Sequence, residues 1–372
     1  MVSESLPLDL SADVVTLTRQ VCDLPSVSGD ERRLADAVEA ALREHPHLEV
    51  LRDGDAVVAR THLGRDRRVL VAGHLDTVPV ADNLPTRLEG DVLHGRGTVD
   101  MKGGVAVALS LAAALEDPVH DVTWVFYDHE EVAAELNGLG RLVRLHPEWL
   151  AADFAVLGEP TDGGLEGGCN GTLRAEVRLH GVAAHSARPW TGSNAVHAAG
   201  EVLRRLEAYR PADVEVDGLV YRESLNAVLI SGGTATNVIP DACVVTVNHR
   251  FAPSRSEEQA ADHVRAVFEG YEVEIVDSAP GARPGLDDPA AREFAEVVLA
   301  VTGGRPAPKL GWTDVARFSA LGIPAVNFGP GDPLLAHKDD ERVPVRQVEV
   351  CRDALRAWLT GAQPEDLPLG TA

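Results

Sequence analysis

In RVLVAGHLD, residues 68–76, an unbroken apolar run from Val69 to Ala72 ends on a glycine and a histidine-x-aspartate pair. A short, β-branched run without polar alternation reads as a strand buried on both faces, the kind found inside parallel sheets. Residues two apart on an extended chain face the same side, so His74 and Asp76 leave the strand end together. The same style extends in both directions. Helices are expected near 11–23 and 30–44, strands at LEVLRD and AVVART, an apolar helix over 104–116, and strands at VTWVFY and DFAVLG. This alternation predicts an α/β core with a mixed, mostly parallel sheet and helices on both faces.

From about residue 172 the pattern changes to the amphipathic strand RAEVRLHG, a helix over 193–209, strands near 225–231 and 242–250, a helix over 256–268, and the strand YEVEIVD. This βαββαβ order describes a ferredoxin-like α+β sandwich inserted into the larger fold. Ser193 is a cap candidate for the 193–209 helix, whose apolar positions 196, 199, 202, 203 and 206 form one face. SAPGARPGLDDP, dense in Pro and Gly, is the return linker. The α/β style then resumes with a helix over 289–301, a helix after Thr313, the strand PAVNFG and a final helix over 345–360. The expected organisation is therefore a discontinuous domain of residues 1–171 and 282–372 around an inserted domain of residues 172–281.

A chain of 372 residues with 45% apolar content can fill two cores. Its net charge of -24 repels nucleic acid and anionic lipid, so neither is an expected partner. MVSESLPLDLSADVV has no basic patch followed by an apolar run, and no stretch is apolar enough to span a bilayer, which predicts a cytoplasmic protein. Cys22, Cys169, Cys243 and Cys351 stand alone, without CxxC spacing, and are read as reduced and non-functional.

Five short stretches each place a metal-type ligand in a turn: His74 and Asp76 in GHLDTVP, Asp100 in GRGTVDMKGG, Glu130 and Glu131 in YDHEE, Glu159 in LGEP, and His337 in AHKDDE. Ligands at the carboxyl ends of parallel strands converge on one crevice. Asp76 is expected to hold the second ring nitrogen of His74. Asp100, in a glycine-rich turn that can bend sharply, is the choice for a carboxylate bridging two ions. Adjacent side chains leaving a strand end diverge, so one glutamate of the 130–131 pair can bind metal while its neighbour addresses a water. Two divalent ions against Asp100, Glu131 and Glu159 leave a single net positive charge, which lowers a water's pKa towards about 7. Glu130 would then act as general base and later acid. The inventory suits two zinc ions, with Co2+ or Mn2+ as substitutes. Other histidines, such as His45, His47 and His120, are read as ordinary surface or core residues. Thr313, at the start of the helix in WTDVARF, is a candidate receptor for a substrate carboxylate at a helix N-terminus.

In these motifs nearly the whole chain resembles the dizinc aminoacylase and carboxypeptidase family. The resemblance implies a zinc-peptidase-like catalytic domain split by a lid domain that forms homodimers. It also implies zinc ligation by His74, Asp100, Glu131, Glu159 and His337, with Asp100 bridging, Asp76 supporting and Glu130 as the catalytic carboxylate. His129 departs from the family pattern, in which a small or short polar residue commonly precedes the glutamate pair. His185 in HGVAAHSARPW resembles the family histidine that crosses from the partner subunit to stabilise the oxyanion. GGTATNVIPD and VNHRFAP resemble the lid motifs that supply Asn237 and Arg250 to the substrate, although Arg250 could instead pair with a nearby acid.

Four phrases, EEVAAELNGLGRL, GCNGTLR, GWTDVARFSALGIPAVNFGPGD and AHKDDE, most resemble the actinobacterial branch that hydrolyses N-succinyl-LL-2,6-diaminopimelate to succinate and LL-2,6-diaminopimelate on the way to lysine. The motif chemistry alone reaches only to amide hydrolysis on a small anionic N-acyl amino acid. Rival readings are deacylation of acetylornithine or carboxypeptidase action by the same ligand set, and a metal-binding scaffold without turnover. A structural metal site is normally closed and has no use for an extra carboxylate such as Glu130, which argues against the scaffold.

Overall fold

The computed structural model describes residues 8–362, so the first seven and last ten residues of the expected catalytic domain lie outside it. The described chain divides into two compact units. One comprises the residues up to Gly167, Pro284–Ala307 and the chain from Thr313 onward; the other comprises Gly168–Arg283 and Pro308–Trp312.

The first unit is built on an eight-stranded sheet. Its centre is parallel: Arg68–His74 lies between Asp121–Tyr127 and Phe154–Leu157, and Ala325–Asn327 follows on the far side of Phe154–Leu157. The hairpin Glu49–Asp53 and Ala56–Arg60 joins antiparallel at one edge, which makes the sheet mixed. Val69, Leu70, Val71 and Ala72 are all fully buried, as an interior parallel strand requires. Helix Lys102–Ala114 is buried nearly all round because it packs against the central strand Arg68–His74 and two other helices, Val14–Cys22 and Val345–Thr360. That burial explains its uniformly apolar sequence. Several elements had no legible signal, among them helix Gly138–Leu145 and the strands Arg87–Glu89 and Val92–His94, which form a small sheet with Arg342–Pro344. Strands of three residues are too short to show a period.

The second unit contains a four-stranded antiparallel sheet in which Gly171–His180 lies between Ala242–Phe251 and Glu272–Ala279, with Ser224–Gly232 at the edge. Helices Ala195–Ala208 and Glu257–Val267 pack on it, giving the ferredoxin-like arrangement. The cap of the first helix is Asn194, whose Oδ1 accepts from the amides of Val196 and His197, and not Ser193, which bridges Val182 instead. Ala195, Ala199 and Val202 form its buried face, while Val196 and Leu203 stay exposed. An additional hairpin, Asp213–Val216 with Leu219–Arg222, interrupts the expected order.

One contact ties the first unit's helix packing to its strand ends. A Cβ added at Gly104 would lie 2.1 Å from the carbonyl oxygen of Gly158, so the helix reaches the strand end only because both positions lack side chains. Alanine gains about 1 kcal/mol over glycine in a helix interior, but forcing backbones apart in a packed core typically costs about 1–3 kcal/mol. The clash should prevail. Gly104→Ala is expected to lower the urea unfolding midpoint, and an unchanged or higher midpoint would show that the helix can retreat freely.

Candidate metal centre

Strand register brings the metal-type residues level. His74 pairs with Tyr127 and Ala72 with Leu157, so three adjacent parallel strands end together. The chain beyond them carries Asp76, then Glu130 and Glu131, then Glu159. Asp100 arrives on the turn before helix Lys102–Ala114, and His337 on the loop after the short helix Pro333–Leu335.

The centre of the site is Asp100. Its Oδ1 lies 3.2 Å from His74 Nε2, and its Oδ2 lies 3.2 Å from His337 Nε2. His337 Nε2 also lies 2.9 Å from Glu131 Oε1. Each oxygen of one carboxylate thus faces a different imidazole, the arrangement of a carboxylate shared by two cations. Donor atoms of His74, Asp100 and Glu131 all fall within 4.8 Å of one another. Ligand atoms on one tetrahedral zinc-sized ion, with bonds near 2.0–2.2 Å, stand roughly 3.3–3.6 Å apart, so the observed spacings fit ions inserted with small side-chain movements. Glu159, buried at its strand end, lies outside that group but close enough to Glu130 to raise its proton affinity.

The carboxylate of Asp76 acts on His74 through its charge and not as the nearest hydrogen-bond partner of the ring. The ring Nδ1 donates to the backbone carbonyl of Asp76 at 3.0 Å, which leaves Nε2 as the ligand atom. The carboxylate stands 3.5 Å from that nitrogen. It instead accepts the amides of Glu130 and Glu131, both at 3.0 Å, and the Ser28 hydroxyl at 2.7 Å. Two successive N–H groups converging on one carboxylate are stronger partners than a ring already served by a nearer carbonyl. Asp76 therefore fixes the glutamate turn directly.

Burial and the neighbouring charges set proton affinities. His74 is fully buried, which favours its neutral form, but Asp100 and Asp76 outweigh this and raise it well above its usual value. Asp100 and Glu131 raise His337 to about 10. Asp100, despite its burial, is held far below the ordinary carboxylate range by hydrogen bonds from the two imidazoles. Burial, followed by Asp314, Glu159 and Glu131 against the opposing pull of His74, raises Glu130 well above its usual value.

Several contributors were not singled out from the sequence, although Glu341 closes the AHKDDE phrase and Asp314 follows Thr313 in WTDVARF. Glu341 is buried, pairs with Arg96 at 2.8 Å, and accepts the amides of Val99 and Asp100 at 2.9 and 3.1 Å, which orients the Asp100 turn. Buried Asp314 accepts from Asn137 Nδ2 at 3.0 Å and pairs with Arg317 at 2.5 Å. Thr313 is itself buried and donates to Asn327 Oδ1 at 2.9 Å. With its hydroxyl committed and a buried aspartate next in sequence, Thr313 is a poor anion receptor, contrary to expectation.

Within the second unit, His185 and Asn237 are brought together. His185 pairs with Val238 in a two-residue ladder, and Ser186 donates its amide to the Asn237 carbonyl at 2.9 Å. His185 Nδ1 accepts from the Ala187 amide at 3.0 Å, so in the neutral ring the proton sits on Nε2 and can be donated outward. Arg250 is half-buried, donates from Nε to Asn248 Oδ1 at 3.1 Å, and makes no ion pair with a carboxylate among the described residues. Burial and nearby Arg174 depress its pKa.

Residues 70–360 match the sequence family described as Peptidase family M20/M25/M40. The chain belongs to that family. It is 56% identical over 357 residues to a Mycobacterium tuberculosis protein provisionally described as the succinyl-diaminopimelate desuccinylase DapE, covering 95% of this chain and 100% of that one. It is 48% identical over 371 residues to the succinyl-diaminopimelate desuccinylase of Corynebacterium glutamicum, covering 97% and 100%. Among solved structures, the Bacillus subtilis YXEP protein, a dinuclear metal-binding peptidase of the M20 family, superposes with a TM-score of 0.70 at 17% identity, covering 96% of this chain and 99% of that one. At that identity the likeness speaks for the fold.

The raised proton affinities of His74 and His337 set protons in competition with metal, because a ligating imidazole is neutral. Loading is therefore expected to release protons at pH 7, and affinity should rise with pH. Calorimetric titration with Zn2+ in buffers of different ionisation enthalpy measures this; heats independent of buffer would contradict the raised proton affinities.

Proposed function

We propose that this chain is an amide hydrolase that cleaves N-succinyl-LL-2,6-diaminopimelate to succinate and LL-2,6-diaminopimelate. What carries the reaction class is one carboxylate, Asp100, set between two imidazoles with Glu130 alongside. What carries the substrate is near-complete coverage at 48% identity of a relative named for that reaction.

In this reading two Zn2+ ions, replaceable by Co2+ or Mn2+, are held by His74, Asp100, Glu131, Glu159 and His337, with Asp100 shared. Bound there, they would supply Lewis acidity and a lowered water pKa. Glu130, with its raised proton affinity, is suited to take the proton of the attacking water and pass it to the departing amine. Asp76 holds the amides of Glu130 and Glu131 so that the base and the neighbouring ligand keep their relative positions. His185 Nε2–H is the oxyanion donor, a contribution worth roughly 3 kcal/mol. Arg250 and Asn237 receive a substrate carboxylate. Thr313 has no part in it.

In this reading residues 1–171 with 282–372 are the catalytic domain and 172–281 the lid, although residues 168–171, 282–283 and Pro308–Trp312 group with the lid in the fold, and the lid is also the dimer surface. Its edge strand Ser224–Gly232 exposes Val228, Leu229 and Ile230 by 50, 69 and 54%, an apolar edge that a second copy would cover. Among the described residues no helix is long and apolar enough to cross a membrane, and a cytoplasmic location suits a biosynthetic hydrolase.

Glu130→Gln should keep two zinc ions per subunit, measured by elemental analysis, while kcat falls roughly 10²–10⁴-fold. Loss of zinc would make Glu130 a ligand instead. His185→Ala should lower kcat, and mixing it with Glu130→Gln protein should restore activity to mixed dimers in which an intact Glu130 meets an intact His185 from the partner. No restoration would rule out donation across subunits. In a panel of N-acyl amino acids, higher kcat/KM on acetylornithine than on the succinyl substrate would replace the proposed substrate.

A further inference from the structure

The turn carrying Glu130 and Glu131 has a second anchor that the reaction chemistry does not require. His129, immediately before the pair, has φ 59, a left-handed conformation uncommon outside glycine, although histidine tolerates it better than most residues. Its support comes from Glu31, at the start of helix Arg32–Arg43 and fully buried. Its Oε1 accepts the His129 amide at 3.2 Å and the Gly29 amide at 2.9 Å. The ring of His129 closes the arrangement, with Nδ1 2.7 Å from Asp128 Oδ2 and 3.4 Å from the same Glu31 oxygen.

The segment between Ser26 and Glu31 is bolted to the metal-bearing loop as well. Ser26 Oγ donates to the Leu75 carbonyl at 2.6 Å, Thr77 donates its amide to Ser26 at 3.0 Å, and Ser28 Oγ donates to Asp76 at 2.7 Å. One short loop thus fastens the chain after His74 to the chain before Glu130, using Ser28 through Asp76 and Glu31 directly. The other oxygen of Glu31, Oε2, is buried and has no hydrogen-bond partner. A buried carboxylate kept at that cost invites a functional explanation.

We propose that Glu31 is a positioning residue: by holding the amide and ring of His129 it fixes the backbone from which Glu130 and Glu131 project, and so sets the base against the metal pair. The inference rests on the proposed hydrolase reading and deepens it. Glu31 touches no reacting atom, and its effect passes entirely through the turn. Misplacing a catalytic group by about 1 Å can cost on the order of 100-fold in rate.

The test compares Glu31→Ala, Glu31→Asp and Glu31→Gln with wild type in the full-length zinc enzyme and in its cobalt-substituted form. Glu31→Ala should lower kcat 10- to 100-fold with KM within about twofold, because substrate binding is not at issue. Glu31→Gln retains an oxygen for both amides and should recover kcat to within about fivefold, while Glu31→Asp, one methylene short, should fall between the two. The visible spectrum of the cobalt protein should change in Glu31→Ala and return towards wild type in Glu31→Gln, since Glu131 leaves the same turn. If Glu31→Ala does not fold, the Glu31→Asp and Glu31→Gln pair carries the comparison. Wild-type kcat and an unchanged cobalt spectrum in folded Glu31→Ala or Glu31→Asp would overturn the proposal, as would a loss that follows thermal stability alone and is not rescued by glutamine. Failure of the wild-type enzyme to hydrolyse any N-acyl amino acid would strike the parent reading instead, and the cobalt spectra would still report on Glu31.

Discussion

Too many carboxylates meet at one end of the central sheet to remain charged without compensation, and the surrounding architecture supplies it. A buried anion is tolerated only when hydrogen-bonded or paired. Asp76 is met by two backbone amides and a serine hydroxyl, Glu341 by Arg96 and two amides, and Asp314 by Asn137 and Arg317. Asp128 is held by both terminal nitrogens of Arg141, at 3.1 and 2.8 Å. Each of these has a fixed partner within the protein. Among the described residues the Asp100 and Glu131 carboxylates face imidazoles, groups that can surrender their protons to a metal, and in the proposed reading that difference sets them apart from the scaffolding carboxylates.

The sheet makes this concentration possible. Parallel strands in register end at the same level, so His74, Tyr127 and Leu157 launch three loops from one line. The helix Lys102–Ala114 then delivers Asp100 from the side, at a distance limited by the close approach of Gly104 to Gly158. Because no loop carries the whole site, small errors in any one can be corrected by bonds to another. The amide and hydroxyl contacts of Asp76 and Glu31 serve that purpose for the glutamate turn.

The same reasoning separates reaction from substrate. A fold and its ligand set specify hydrolysis of an amide, but family members share that set, and choice among acyl groups rests with residues that recognise the far end of the substrate. His185, Asn237 and Arg250 are the candidates in the second unit. Arg250, half-buried and without an acidic partner among the described residues, has the strongest physical claim, since a guanidinium removed from water gains most from a carboxylate ligand.

The sequence by itself determined the α/β alternation, the inserted βαββαβ unit and the types of residue that gather at the strand ends. Those signals are local: apolar runs such as Val69–Ala72, turn residues beside ligands, and motifs contiguous along the chain. What only the tertiary structure decided was which oxygen meets which donor. That Asp76 would turn from His74 to the amides of Glu130 and Glu131, that Thr313 would be spent on Asn327, that Asn194 and not Ser193 would cap its helix, and that Glu31 would reach the turn 98 positions downstream are outcomes of competition among nearby partners. A hydrogen bond is decided by differences of a few tenths of an ångström between groups remote in sequence, and no period or motif encodes that distance.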